Sequence, residues 1–101
     1  MVNPLDIDRN NKNNKTKPKK WIRFIKSFTP LTKDLYLSLN FVYNITLKCI
    51  RSDDYEISDE YELKEYIEYE FSSFPKLKIK DEILLKSCSL LWSLYNNNEL
   101  K

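Results

Sequence analysis

The stretch LYLSLNFVYNITLKC, from Leu35 to Cys49, decides how the rest of this chain is read. Its odd positions are all apolar: Leu35, Leu37, Leu39, Phe41, Tyr43, Ile45, Leu47 and Cys49. Its even positions are mostly polar, with Ser38, Asn40, Asn44, Thr46 and Lys48 interrupted only by Tyr36 and Val42. Alternation at period two is the pattern of a strand that buries one face and wets the other. The aromatic and β-branched residues also suit a pleated surface. The pattern therefore predicts a strand, bent near Asn40 or Asn44 because fifteen residues exceed the usual strand length.

Working outward, WIRFIKSF (residues 21–28) alternates imperfectly and reads as a first strand. Pro30 ends it, since proline cannot donate to a ladder, and residues 29–34 form a turn or a short helical piece. On the other side, Arg51-Ser52-Asp53-Asp54 is a turn candidate. Tyr55 and Ile57 resume the alternation and predict a hairpin with residues 45–49. Asp59 with Glu62 three residues on has the spacing of a capping box. It opens a predicted helix over residues 59–74, with Leu63, Tyr66, Ile67, Phe71 and Phe74 on one face and Pro75 as its stop. Tyr61, Leu63, Ile67, Tyr69 and Phe71 also fit a strand; the glutamates and the cap favour helix. KLKIK (76–80) alternates with Leu77 and Ile79 inward, and residues 81–95 read either as a helix or as a hairpin turning at Cys88 and Ser89. The expected fold class is α+β: a small antiparallel sheet of residues 21–28, 35–49 and 55–58, covered by one or two helices, with a basic N-terminal extension.

The chain has 101 residues, enough for one domain, here taken as residues 21–101 behind a flexible basic tail over 1–20. It contains no His, Gly, Ala or Gln. Without Gly, no phosphate-cradling loop of the P-loop or dinucleotide type can be written. Without His, the commonest metal ligand and the only side chain titrating near neutrality are missing. No cofactor, metal or small-molecule substrate is expected, and no enzymatic activity. Cys49 and Cys88 stand far apart without CxxC spacing, which favours a reducing compartment. The first ten residues lack an apolar core for a secretory signal, and no run suits a bilayer span. A cytoplasmic protein without membrane contact is the expectation.

Charge is divided unevenly. Residues 1–26 carry eight Lys/Arg against Asp6 and Asp8, a net of +6. Residues 27–101 carry nine basic against thirteen acidic groups, a net of −4. The leader is low in apolar residues and cannot fold alone. Cationic tails bind phosphate backbones through charge neutralisation and counterion release. Lys12, Lys15, Lys17, Lys19, Lys20, Arg23 and Lys26 are therefore candidate RNA contacts, with Trp21 beside Arg23 as a candidate base-stacking ring. Core or rim packing is the commoner fate of such a tryptophan. Residues 53–70 hold nine carboxylates against Lys64 alone. Paired acids could serve glycoside hydrolysis or a divalent metal. Their regular spacing on the outer face of a predicted helix instead suits a solvated face, or a docking surface for a basic protein partner. Cys88 reads as a small buried hydrophobe, since no His is present to activate it.

Lys19-Lys20-Trp21-Ile22-Arg23-Phe24, Thr29-Pro30, Asn40-Phe41 and Ile45-Thr46-Leu47-Lys48 through Ile57-Ser58 together resemble the eukaryotic large-subunit ribosomal protein twenty-two family. In that resemblance residues 45–58 are a hairpin, 63–71 a helix and 83–95 the last strands. It implies a structural component of the large subunit that contacts rRNA and neighbouring ribosomal proteins. The family's helix is rich in lysine, whereas here Lys64 stands among glutamates. The resemblance thus implies a shortened member whose rRNA contacts lie on the tail and on Lys76, Lys78 and Lys80. A second class of function is a small viral or plasmid-type inhibitor whose acidic helix mimics a nucleic-acid backbone.

Overall fold

The computed structural model describes residues 17–51 and 56–100. Of these, 69% are helical and none lies in a strand, so the protein is all-α. In chain order the helices are α1 (Lys19–Lys26), α2 (Lys33–Arg51), α3 (Glu60–Phe71) and α4 (Asp81–Asn96). The α+β expectation is overturned. The stretches expected as strands over 21–28 and 35–49 lie mainly in α1 and α2. Of the expected strand 55–58, the described part, Glu56 to Ser58, is neither helix nor strand. Of the hairpin over 45–58 implied by the ribosomal resemblance, residues 45–51 are helix and Glu56 to Ser58 are neither helix nor strand, and the final strands over 83–95 are helix.

The reason lies in which residues α2 buries. Tyr36, Ser38, Leu39, Val42, Tyr43, Ile45, Thr46 and Cys49 are all buried, a set that includes even as well as odd positions and recurs at three and four along the helix. Two are polar and carry their own partners. The Ser38 hydroxyl donates to the Lys78 carbonyl at 2.9 Å, and the Thr46 hydroxyl donates back to the Val42 carbonyl at 2.8 Å. Exposure is confined to a narrow row that includes Leu37, Asn44, Lys48 and Arg51. A helix covered on most of its circumference has no single apolar stripe, and its apolar odd positions imitate a strand. Thr32 starts it. The Thr32 hydroxyl accepts from Leu35 N–H at 3.1 Å, and the Thr32 carbonyl accepts from Tyr36 N–H at 2.9 Å.

The other three helices pack around α2. Trp21 and Ile25, one turn apart on α1, are buried, and the Trp21 ring stacks on Tyr43 with centroids 5.5 Å apart. Phe24 and Phe28 extend this aromatic row edge to face at 5.2 Å. Asp59 caps α3 where its spacing predicts, accepting from Tyr61 and Glu62 N–H at 2.9 Å each. Leu63 and Ile67 fill the α3 side of the core, and Phe71 and Phe74 sit edge-on against Phe41. On α4 the buried row is Leu84, Ser87, Cys88, Leu91 and Leu94, which resolves the choice for residues 81–95 as helix. Asp81 and Glu82 in its first turn complement the helix dipole. Lys64 of α3 reaches Asp81 at 2.8 Å and Glu68 at 2.6 Å, tying α3 to the start of α4.

The end of α4 solves a problem set by composition. Glu99 N–H bonds the Leu94 carbonyl at 2.8 Å and Asn98 N–H bonds Tyr95 at 3.1 Å, the paired bonds of a Schellman cap. Such a cap needs a left-handed residue, and Asn98 supplies it with φ 58° in a chain that has no glycine. The reversal returns Leu100 into the core, where it is 4% exposed. Among the described residues, no helix is long and apolar enough to cross a membrane.

Candidate nucleic-acid interface

Helix α1 sorts its side chains by chemistry. Trp21, Ile25, Phe24 and Phe28 point into or along the core, while Lys19, Arg23 and Lys26 are exposed. Those three cations are spaced i, i+4, i+7, which places them in one row along the outer side of the helix. The sequence KKWIRFIK contains no carboxylate. Lys19 and Lys20 occupy the first turn, where a cation faces the positive end of the helix dipole and is disfavoured by about 0.3–1 kcal/mol. The same exposed N–H groups and the same dipole favour a bound anion. Pro18 in extended conformation starts the helix, and its carbonyl accepts from Trp21 and Ile22 N–H at 3.1 and 3.2 Å.

Around that end lies an open depression lined by Pro18, Lys19, Lys20, Arg23 and Glu99. Glu99 approaches Lys20 at 3.4 Å, with both side chains about half exposed, so solvent screens the pair. The contact brings the capped end of α4 up to α1. Lys17 is half-buried: its ammonium donates to Asn40 Oδ1 at 3.2 Å and sits 5.6 Å from the Tyr43 ring centre, within cation–π range.

The candidate contacts thus fall into several groups. Lys12 and Lys15 lie outside the described residues. Lys17 is engaged with α2, and Lys20 shares its depression with Glu99. Lys19, Arg23 and Lys26 form the exposed row. Trp21 is corrected: it is 0% exposed and enclosed by Phe24 and Tyr43, so its ring offers no face to a base. Lys76, Lys78 and Lys80 are exposed, but on the link between α3 and α4 rather than beside α1. Sequence reasoning passed over Pro18, Asn40, Tyr43 and Glu99, which shape the depression or hold Lys17. Only the helical spacing of Lys19, Arg23 and Lys26 could have shown in advance that three cations share a row.

The acidic helix carries a second unusual surface. Tyr61, Glu65 and Tyr69, spaced i, i+4, i+8, lie along the outside of α3 with Glu62 and Glu68 beside them. The two tyrosines are 63% and 72% exposed, far more than packing would leave them. Among the described residues no group of three or more His, Cys, Asp or Glu could hold a metal ion.

Among the described residues a partly open pocket of about 60 Å³ lies beside Thr46, Cys49, Leu63, Leu91 and Trp92. Burial pushes the Cys49 thiol up to about 11, against a smaller opposing effect of its hydrogen bond with Tyr66. Burial also pushes Cys88 up to about 12. Neither is a thiolate near neutrality, and both pack as small hydrophobes.

Fold and site together define a small all-helical protein with a cationic helix on one side and an acidic, tyrosine-bearing helix on another. No protein-family model matches the chain, and neither the curated proteins nor the solved structures compared with it give a match.

Proposed function

We propose that this chain is a cytoplasmic structural RNA-binding protein without enzymatic activity. It grips phosphates with its basic leader and the outer face of α1, within a ribonucleoprotein such as the large ribosomal subunit. The observation that carries this reading is the exposed row Lys19, Arg23, Lys26 on a carboxylate-free helix whose other side is fixed to the core by Trp21 and Ile25. A docked helix presents its cations at low ordering cost. The ribosomal setting rests on the short sequence resemblance, without the strands that family implies.

The test is a salt-titrated filter-binding assay on single-stranded RNA. Each phosphate contact contributes a slope of about −0.7 in log affinity against log salt. K19A/R23A/K26A should therefore flatten the slope by about 2 units. Deleting residues 1–16 keeps all of α1 and should flatten it further when combined. A triple variant with the slope and affinity of the full chain rules the α1 interface out. Co-sedimentation with ribosomal particles tests the setting.

The exposed Tyr61 and Tyr69 among carboxylates favour a second reading, in which α3 docks a basic protein partner as a nucleic-acid mimic. E62K/E65K separates the two: it abolishes such docking while leaving RNA binding by α1 intact or stronger.

A further inference from the structure

We propose that residues 76–80 form a second phosphate-contacting ridge, on the opposite side of α2 from α1, so that one molecule bridges two separate RNA segments. The inference rests on the RNA-binding reading of α1 and adds to it a second site and a consequence for assembly.

The ridge is built from alternation. Lys76, Lys78 and Lys80 are exposed, while Leu77 and Ile79 between them are half-buried, Ile79 against the core. Lys80 has an extended backbone, with φ −66° and ψ 141°. In extended chain, alternate side chains recur every ~6.5 Å. That interval suits successive phosphates for Lys78 and Lys80, while Lys76 sits beside them in the turn closed by the Leu77 N–H to Phe74 carbonyl bond.

This segment is pinned. Leu77 N–H bonds the Phe74 carbonyl at 2.9 Å, and the buried Ser38 hydroxyl of α2 holds the Lys78 carbonyl at 2.9 Å. The Lys80 carbonyl accepts from Leu84 N–H at 2.9 Å as α4 begins. The backbone beneath the lysines is therefore placed before any ligand arrives, which lowers the ordering cost of binding. Glu68 and Asp81 border the same surface beside Lys78, and each is paired with Lys64, at 2.6 and 2.8 Å.

Position makes the ridge a separate site. On an α-helix Ser38 and Asn40 diverge by about 200°. Ser38 holds the ridge, whereas Asn40 meets Lys17 and Tyr43 meets Trp21 on the α1 side. With α2 lying between them, the two cationic surfaces face apart. A single RNA strand in contact with α1 leaves the ridge free for another.

The experiment is a two-RNA capture. A biotinylated RNA oligonucleotide is immobilised, saturated with full-length protein, washed, and offered a fluorescent RNA of unrelated sequence. The full chain should retain the second RNA. K76E/K78E/K80E, checked for an unchanged thermal melt, should bind the first RNA within about threefold of the full chain and lose at least tenfold of the second-RNA signal. K19E/R23E/K26E should weaken binding to the immobilised RNA to what the ridge alone sustains, and should capture no second RNA. Full-length protein that binds the first RNA but captures no second refutes bridging and leaves the α1 reading standing. Absence of binding to the first RNA removes both. Capture that survives K76E/K78E/K80E, or that follows the dimer fraction in light scattering, also overturns the inference.

Discussion

Replacing Trp21 distinguishes a core tryptophan from a base-stacking one. Its ring is 0% exposed, stacked on Tyr43 at 5.5 Å and tilted against Phe24 at 5.4 Å, so it joins α1 to α2. Trp21→Ala removes these contacts and leaves a cavity, a change that costs about 3–5 kcal/mol for a large aromatic. A chain of this length has a stability of about 5–15 kcal/mol. The variant should therefore lose about a fifth or more of its stability, and its urea midpoint should fall by about 2 M or more for a slope near 1.5 kcal/mol/M. Trp21→Phe is the informative companion. It keeps most of the ring and deletes an indole N–H that finds no acceptor among the described residues. An unpaired buried donor costs about 1–3 kcal/mol, which offsets much of the lost volume. Trp21→Phe should stay within about 1 kcal/mol of the parent. Urea titrations followed by far-ultraviolet circular dichroism measure both, and filter binding below the unfolding transition measures RNA affinity. If Trp21→Ala keeps its midpoint but loses RNA, the ring is a stacking platform and its burial is wrong.

Three further outcomes follow from individual contacts. Ser38→Ala leaves the Lys78 carbonyl without its donor and should cost about 1 kcal/mol by the same melts; no loss would mean that the ridge is not anchored there. Asn98→Ala places a Cβ-constrained residue at φ 58° and should cost about 1 kcal/mol, whereas Asn98→Gly should equal or exceed the parent. Equal melts for Ala and Gly would contradict the Schellman cap. Stability should also fall above about pH 9. The unfolded thiols ionise near 9 while Cys49 and Cys88 hold their protons to about 11 and 12, so the unfolded state binds fewer protons in that window. Lys64, raised by its bonds to Asp81 and Glu68, adds a loss of the same sign at higher pH. Urea midpoints at pH 7, 9 and 10.5 should decline for the parent and decline less for C49A/C88A. Unchanged midpoints refute the burial of both thiols.

Local chemistry made part of this protein legible from sequence alone. Asp59 starts α3 where its spacing predicts because a capping side chain acts within a few residues of its own position. The helix, however, ends at Phe71, short of the expected stop at Pro75, and leaves Phe74 outside it. The uneven charge was equally visible, since charge placement along the chain needs no contacts. Residues 81–95 stayed open between helix and hairpin because a short apolar run fits both periods.

Only the tertiary structure decided the character of α2 and α1. Leu35 to Cys49 alternates along the chain, yet the enclosing helices give Ser38 and Thr46 buried places, and Ser38 finds its partner forty residues away at Lys78. Burial on most sides erases the single stripe from which a helix is read, and that enclosure is a property of the neighbours rather than of the segment. The same holds for Trp21, whose sequence neighbours are cations but whose spatial neighbours are Tyr43 and Phe24. Periodicity reports which residues are apolar; the number of helices that surround them determines which way they face.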